Sequence, residues 1–113
     1  MSTDPYEICD DEANQWRICV EKHLGQPEVH TACEGAQAQF DSCISVWRAR
    51  VGPAVSIKGR NEGEPPDQCA AMSCLVGECL RKYNYDFKRC KPPMDFFKYC
   101  VKGFYGSEYV VDK

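Results

Sequence analysis

The feature that most constrains this chain is the spacing of its cysteines. Nine occur in 113 residues. Eight of them form four pairs, each enclosing nine residues: Cys9 and Cys19, Cys33 and Cys43, Cys69 and Cys79, Cys90 and Cys100. The ninth, Cys74, stands midway between Cys69 and Cys79. The register extends beyond cysteine. Each pair reads cysteine, six residues, a bulky apolar residue, two residues, cysteine, then an aliphatic residue. The bulky positions are Trp16, Phe40, Val76 and Phe97; the aliphatic ones are Val20, Ile44, Leu80 and Val101. Four fits to one template make an internal repeat.

The residues around the cysteines carry helical periods. Asp4 is suited to an N-cap, with Pro5 at the first helical position and Glu7 three residues after the cap. Apolar residues then recur at Cys9, Ala13, Trp16, Val20 and Leu24, until Gly25 and Pro27 end this first helix. A second helix begins near Glu28, aligns Cys33, Ala36, Phe40, Cys43, Ile44 and Trp47 on one stripe, and stops at Gly52-Pro53. The short connection at Gln26 makes the two antiparallel neighbours. Residues 52–66 are rich in Gly and Pro and read as a linker. A third helix runs from Pro66 or Asp67 to Tyr83, with Asn84 as a left-handed cap. Its stripe is Cys69, Met72, Val76, Cys79, Leu80 and Tyr83. Pro92 and Pro93 suit only the first turn of a fourth helix. Cys90 is therefore expected at or just before its start, with Gly103 as its stop. The expected architecture is all-α: a first hairpin over 1–51, a linker over 52–66, a second hairpin over 67–103 and an aromatic tail over 104–113.

Helical geometry fixes how the cysteines pair. Ten helical steps turn about 1000° and rise ~15 Å, leaving the two cysteines of a pair about 80° apart on one face. Two antiparallel helices with this spacing meet at two rungs, the outer joining first to last and the inner joining the middle two. The expected bridges are Cys9–Cys43, Cys19–Cys33, Cys69–Cys100 and Cys79–Cys90. A parallel pairing such as Cys9–Cys33 would separate the Cα atoms far beyond the ~6 Å a disulfide requires. Cys74 lies about 140° around the helix from both Cys69 and Cys79. It cannot join a rung and is left as a free thiol, expected to pack as a small apolar residue on the first hairpin or on a partner.

Other chemistries fit the cysteines poorly. Structural zinc uses pairs separated by about two to four residues. Redox enzymes use Cys-x-x-Cys beside a strand-helix pattern, and copper transfer wants adjacent cysteines or a low-pKa pair left free. None of these patterns occurs. His23 and His30 flank the first turn and read as surface residues rather than ligands. No phosphate loop, nucleophile elbow or carboxylate pair is recognisable. No enzymatic activity, cofactor or metal is expected.

Charge is unevenly divided. Residues 1–50 carry 9 acidic and 4 basic side chains, net −5; residues 51–113 carry 8 acidic and 10 basic, net +2. The overall charge of −3 disfavours nucleic acid as the partner of the whole chain. Arg81, Lys82, Lys88, Arg89 and Lys91 do gather near Tyr83, Tyr85 and Phe87, a mixture that suits nucleic acid or anionic lipid. The preferred reading is a solvated turn set against an acidic protein surface. No apolar run reaches the ~18–20 residues of a membrane span. The first residues lack the features of a secretory or matrix-targeting signal, and Met1 reads as the translated start. A disulfide framework implies an oxidising compartment, yet its usual address label is missing.

Paired Cys-x(9)-Cys hairpins, with an aromatic three residues before the second cysteine, resemble the coiled-coil-helix-coiled-coil-helix (CHCH) proteins of the mitochondrial intermembrane space. The resemblance covers residues 9–43 and 69–100. It implies import without a cleaved presequence, through a disulfide-relay oxidoreductase that docks a cysteine and nearby apolar side chains. The matching pairs are Trp16/Cys19, Phe40/Cys43, Phe87/Cys90 and Phe97/Cys100. Two modules in one chain are similar to the double-CHCH accessory-subunit type of respiratory complex I; the segment from Cys33 to Cys43, and Cys90-Lys91-Pro92-Pro93, carry this likeness. Cys74 and the Pro/Gly-rich linker depart from it. The function this implies is that of a non-catalytic subunit, peripheral to the inner membrane, among the subunits of a large complex. The alternatives are an assembly factor or metallochaperone, or an accessory subunit of ATP synthase, another respiratory complex or the mitochondrial ribosome.

Overall fold

A computed structural model describes residues 7–106. They form five helices and no strand: α1 (Asp10–Lys22), α2 (Val29–Ala32), α3 (Glu34–Val51), α4 (Asp67–Lys82) and α5 (Lys91–Tyr105). The all-α expectation holds, and so do both stapled hairpins, α1 against α3 and α4 against α5.

The helix starts differ from the sequence reading in instructive ways. Asp4 and Pro5 lie outside the described residues. Glu7 to Cys9 form a turn, and Cys9 takes a left-handed conformation, φ 54°, immediately before α1. Side chains disfavour that region, but the Cys9 carbonyl caps the helix by accepting from Ala13 N at 2.9 Å. Asp10, Asp11 and Glu12 then fill the first turn, where the helix dipole favours negative charge. The second helix is not continuous from Glu28. It breaks at Cys33, φ −105° and ψ 8°, which closes α2 and opens α3. Cys90, the equivalent residue of the second hairpin, opens α5 with nearly the same angles, φ −95° and ψ 7°. Both inner rungs therefore hang from helix starts.

The far end of α5 corrects a boundary. Gly103 does not stop the helix. A Cβ there would lie 3.2 Å from Ile44 Cγ2, so its smallness serves the close crossing of α3. The helix continues to Tyr105, and Gly106, with φ +67°, ends it. Phe104, placed in the tail by sequence, is fully buried.

The two hairpins share one core. Helices α1 and α4 run side by side in the same direction. Gln68 Nε2 donates to Ile8 O (2.8 Å) at one end, and Tyr83 Oη donates to Leu24 O (3.1 Å) at the other. Trp16, wholly buried, sits at the centre. Its ring centroid lies 5.1 Å from that of Phe40 on α3 and 5.4 Å from that of Phe96 on α5. Phe104 extends the cluster to Phe40 and Trp47 at 6.0 and 5.9 Å. The shared core explains a register shift. In the first hairpin the buried bulky residues sit three positions before the second cysteine, at Trp16 and Phe40. In the second hairpin they sit four before it, at Leu75 and Phe96, while Val76 and Phe97 are half-buried. The second hairpin turns its inner face toward α1 as well as toward itself.

The stretch read as a linker is strapped down. Ile57 is buried and its N–H donates to Phe104 O at 2.9 Å. Ser56 Oγ donates to Tyr105 O at 2.6 Å. Arg48, in the last turn of α3, donates to Gly52 O and Val55 O on one side and to Gly103 O and Phe104 O on the other. One guanidinium thus ties α3, the connecting segment and the carbonyl end of α5.

Candidate functional site

The eight paired cysteines close as the spacing requires. The bridges are Cys9–Cys43, Cys19–Cys33, Cys69–Cys100 and Cys79–Cys90, with Cα separations of 5.9, 5.7, 5.7 and 5.7 Å. Those distances fall in the normal range for disulfides. The outer bridges close 34 and 31 residues and the inner ones 14 and 11. Each contributes about 2–4 kcal/mol, mainly by restricting the unfolded chain. All four cysteines of the second hairpin are buried; in the first, Cys9 and Cys33 are buried while Cys19 and Cys43 are half-buried. The ladder is therefore structural, and its formation requires oxidising conditions.

Cys74 faces away from the seam, as the helical angle requires, but it does not pack on the first hairpin. It is a free, exposed thiol. The buried residues of α4 are Gln68, Cys69, Met72, Leu75 and Cys79 instead. Gln68 is a buried polar residue in an apolar face, a pattern-breaking position whose amide reaches across to Ile8 O. That exception to the stripe was the available signal for a contact between hairpins.

The histidines separate. His30 is exposed and sets its ring edge-on to Phe96 at 5.0 Å. His23 is half-buried with Nδ1 3.1 Å from Cys19 O. His23, Cys19 and Cys33 place possible ligand atoms within 4.8 Å of one another. The two sulfurs, however, are bonded to each other, so this trio offers a single imidazole and no thiolate.

Two further surface features bear on function. Along α3 and α5 an open groove is lined by Phe40, Asp41, Ile44, Tyr99 and Lys102. Burial, followed by the hydrogen bond and charge of Asp41, pushes the Tyr99 phenol up to about 12. At the turn between α4 and α5, Asn84 and Tyr85 both take left-handed angles, φ 54° and 60°. Asp86 Oδ1 accepts from the N–H groups of Lys88 and Arg89, both at 3.1 Å. Tyr83 supports this turn: Arg89 lies 4.6 Å and Lys82 5.4 Å from its ring centroid. Gly25 of the first turn lies so close to the Tyr83 ring that a Cβ would overlap it. The turns of both hairpins thus abut at one end of the molecule.

No helix among the described residues is long and apolar enough to cross a membrane. Comparison of the chain with protein-family models, with curated proteins and with solved structures found no match.

Proposed function

We propose that this chain is a non-catalytic structural subunit of the CHCH type, held on the intermembrane-space side of a mitochondrial respiratory-chain complex, with complex I as the first candidate. The observation that carries this reading is the disposition of sulfur. Eight of nine cysteines are taken up in two nested pairs of rungs, and the ninth stands apart from them. Such a ladder performs no redox or metal chemistry while intact. It makes a small body rigid, so that outer helical faces reach neighbouring subunits with little ordering cost. The repeat, with Trp16, Phe40 and Phe97 each preceding a cysteine by three residues, supports oxidative trapping by the relay as the route to that compartment.

A metallochaperone or redox assembly factor is the competing reading. It needs convergent free thiolates, and the ladder leaves Cys74 alone. Native electrophoresis of gently solubilised mitochondria tests the proposal. The subunit should co-migrate with a large inner-membrane complex. Recovery solely as a free monomer would exclude it.

A further inference from the structure

We propose that the turn joining α4 to α5 is a docking tip for an anionic phospholipid surface. Tyr85 and Phe87 project there with 61% and 62% of their surfaces exposed. The left-handed backbone at Asn84 and Tyr85 makes the turn sharp and convex. Around these rings stand Arg81, Lys82, Lys88 and Arg89, all exposed, while the neighbouring Lys91 is paired with Asp95 at 2.7 Å. The only acid within residues 81–91 is Asp86, and its carboxylate is engaged by two backbone N–H groups of the same turn. The adjoining first turn adds Lys22 against Glu21, Glu28 and Glu34, so the positive charge is concentrated on the second turn, where residues 81–91 hold five basic side chains and one acidic, although the chain is net negative.

The chemistry favours a lipid headgroup layer over a single-stranded nucleic acid, and the two exposed rings at the crown of the turn favour it over the acidic protein surface expected from the charges alone. Stacking on nucleic acid needs ring faces along a basic groove. Here Tyr83 is already covered by Arg89, and the two free rings crown a convex turn instead of lining a track. Aromatic rings flanked by cations suit the boundary of a bilayer: the rings enter the headgroup region while Lys and Arg meet anionic lipid. Tyr83 positions two of those cations and, through Leu24 O, fixes the tip to the first hairpin. The surface belongs to the tip alone and does not depend on which complex the chain joins.

Co-sedimentation of the oxidised full chain with vesicles tests this. The chain should pellet with phosphatidylglycerol-containing phosphatidylcholine vesicles and remain in solution with phosphatidylcholine alone. High salt should release it. Arg81→Ala with Lys88→Ala should lower partitioning by on the order of tenfold, and Phe87→Ser should lower it while leaving all charges in place. Both variants change exposed side chains only, and unchanged circular dichroism verifies their folds. Equal binding to neutral vesicles, no binding to anionic ones, unaltered binding by both variants, or binding of single-stranded RNA without vesicle binding would overturn the proposal. Each of those outcomes leaves co-migration with a respiratory complex untouched.

Discussion

Arg48 ties α3 to the segment that follows it and to the end of α5. Its guanidinium meets four carbonyls from two segments, the stretch after α3 and the end of α5, and its Cζ lies 4.4 Å from the Trp47 ring centroid. Two of the carbonyls belong to the last turn of α5, where a cation is favoured by the dipole and by unmade hydrogen bonds. Arg48→Ala should destabilise the protein by about 2–3 kcal/mol, since bonds to a charged donor are worth more than neutral ones. Arg48→Lys should recover only part, because an ammonium lacks the planar fork. Denaturant titration with the bridges intact measures both. Tyr99 gives a second residue-scale expectation. Its phenol is raised from 10.0 to about 12, so the folded state retains a proton that the unfolded chain releases. The stabilisation this brings is complete below pH 10 and is lost as pH rises through about 12. Ultraviolet titration should show a late phenolate step that Tyr99→Phe removes and Asp41→Asn moves to lower pH.

At the scale of elements, the four helices and their rungs were legible in the sequence because both depend on local periods. A nine-residue interval on antiparallel helices admits one nested pairing, and no tertiary information is needed to find it. The start of α5 at Cys90 was legible for a similar reason: Pro92 and Pro93 tolerate only a first turn. Nothing comparable follows Cys33, so the break between α2 and α3 was missed. The choice of Leu75 over Val76 and of Phe96 over Phe97 was also missed. These neighbours differ by one helical step, and the decision rests with α1, far away in sequence. Phe96 touches Trp16 and His30, so it joins the hairpins as much as it fills its own. Phe96→Ala should cost about 3–5 kcal/mol as a core truncation, whereas Phe87→Ala on the exposed tip should stay within about 0.5 kcal/mol. Thermal unfolding of the two variants checks the contrast.

For the whole molecule, the consequence is one body instead of two stapled modules. Shared burial around Trp16, the Gln68–Ile8 and Tyr83–Leu24 ties, and the strapped segment at Ser56 and Ile57 all link the halves. With bridges intact, far-ultraviolet circular dichroism and tryptophan fluorescence should therefore report a single coincident unfolding transition; separate transitions would contradict the shared core. The uneven charge seen along the sequence becomes spatial once the hairpin turns are placed side by side, with the basic second turn at one end. The fold and the proposed role both rest on the ladder, and disulfide mapping tests it most directly. The native chain, alkylated without reduction and digested, should carry the label at Cys74 alone and yield cross-linked peptides joining Cys9 to Cys43, Cys19 to Cys33, Cys69 to Cys100 and Cys79 to Cys90. Three or more labelled cysteines, or a peptide joining Cys9 to Cys33, would contradict it.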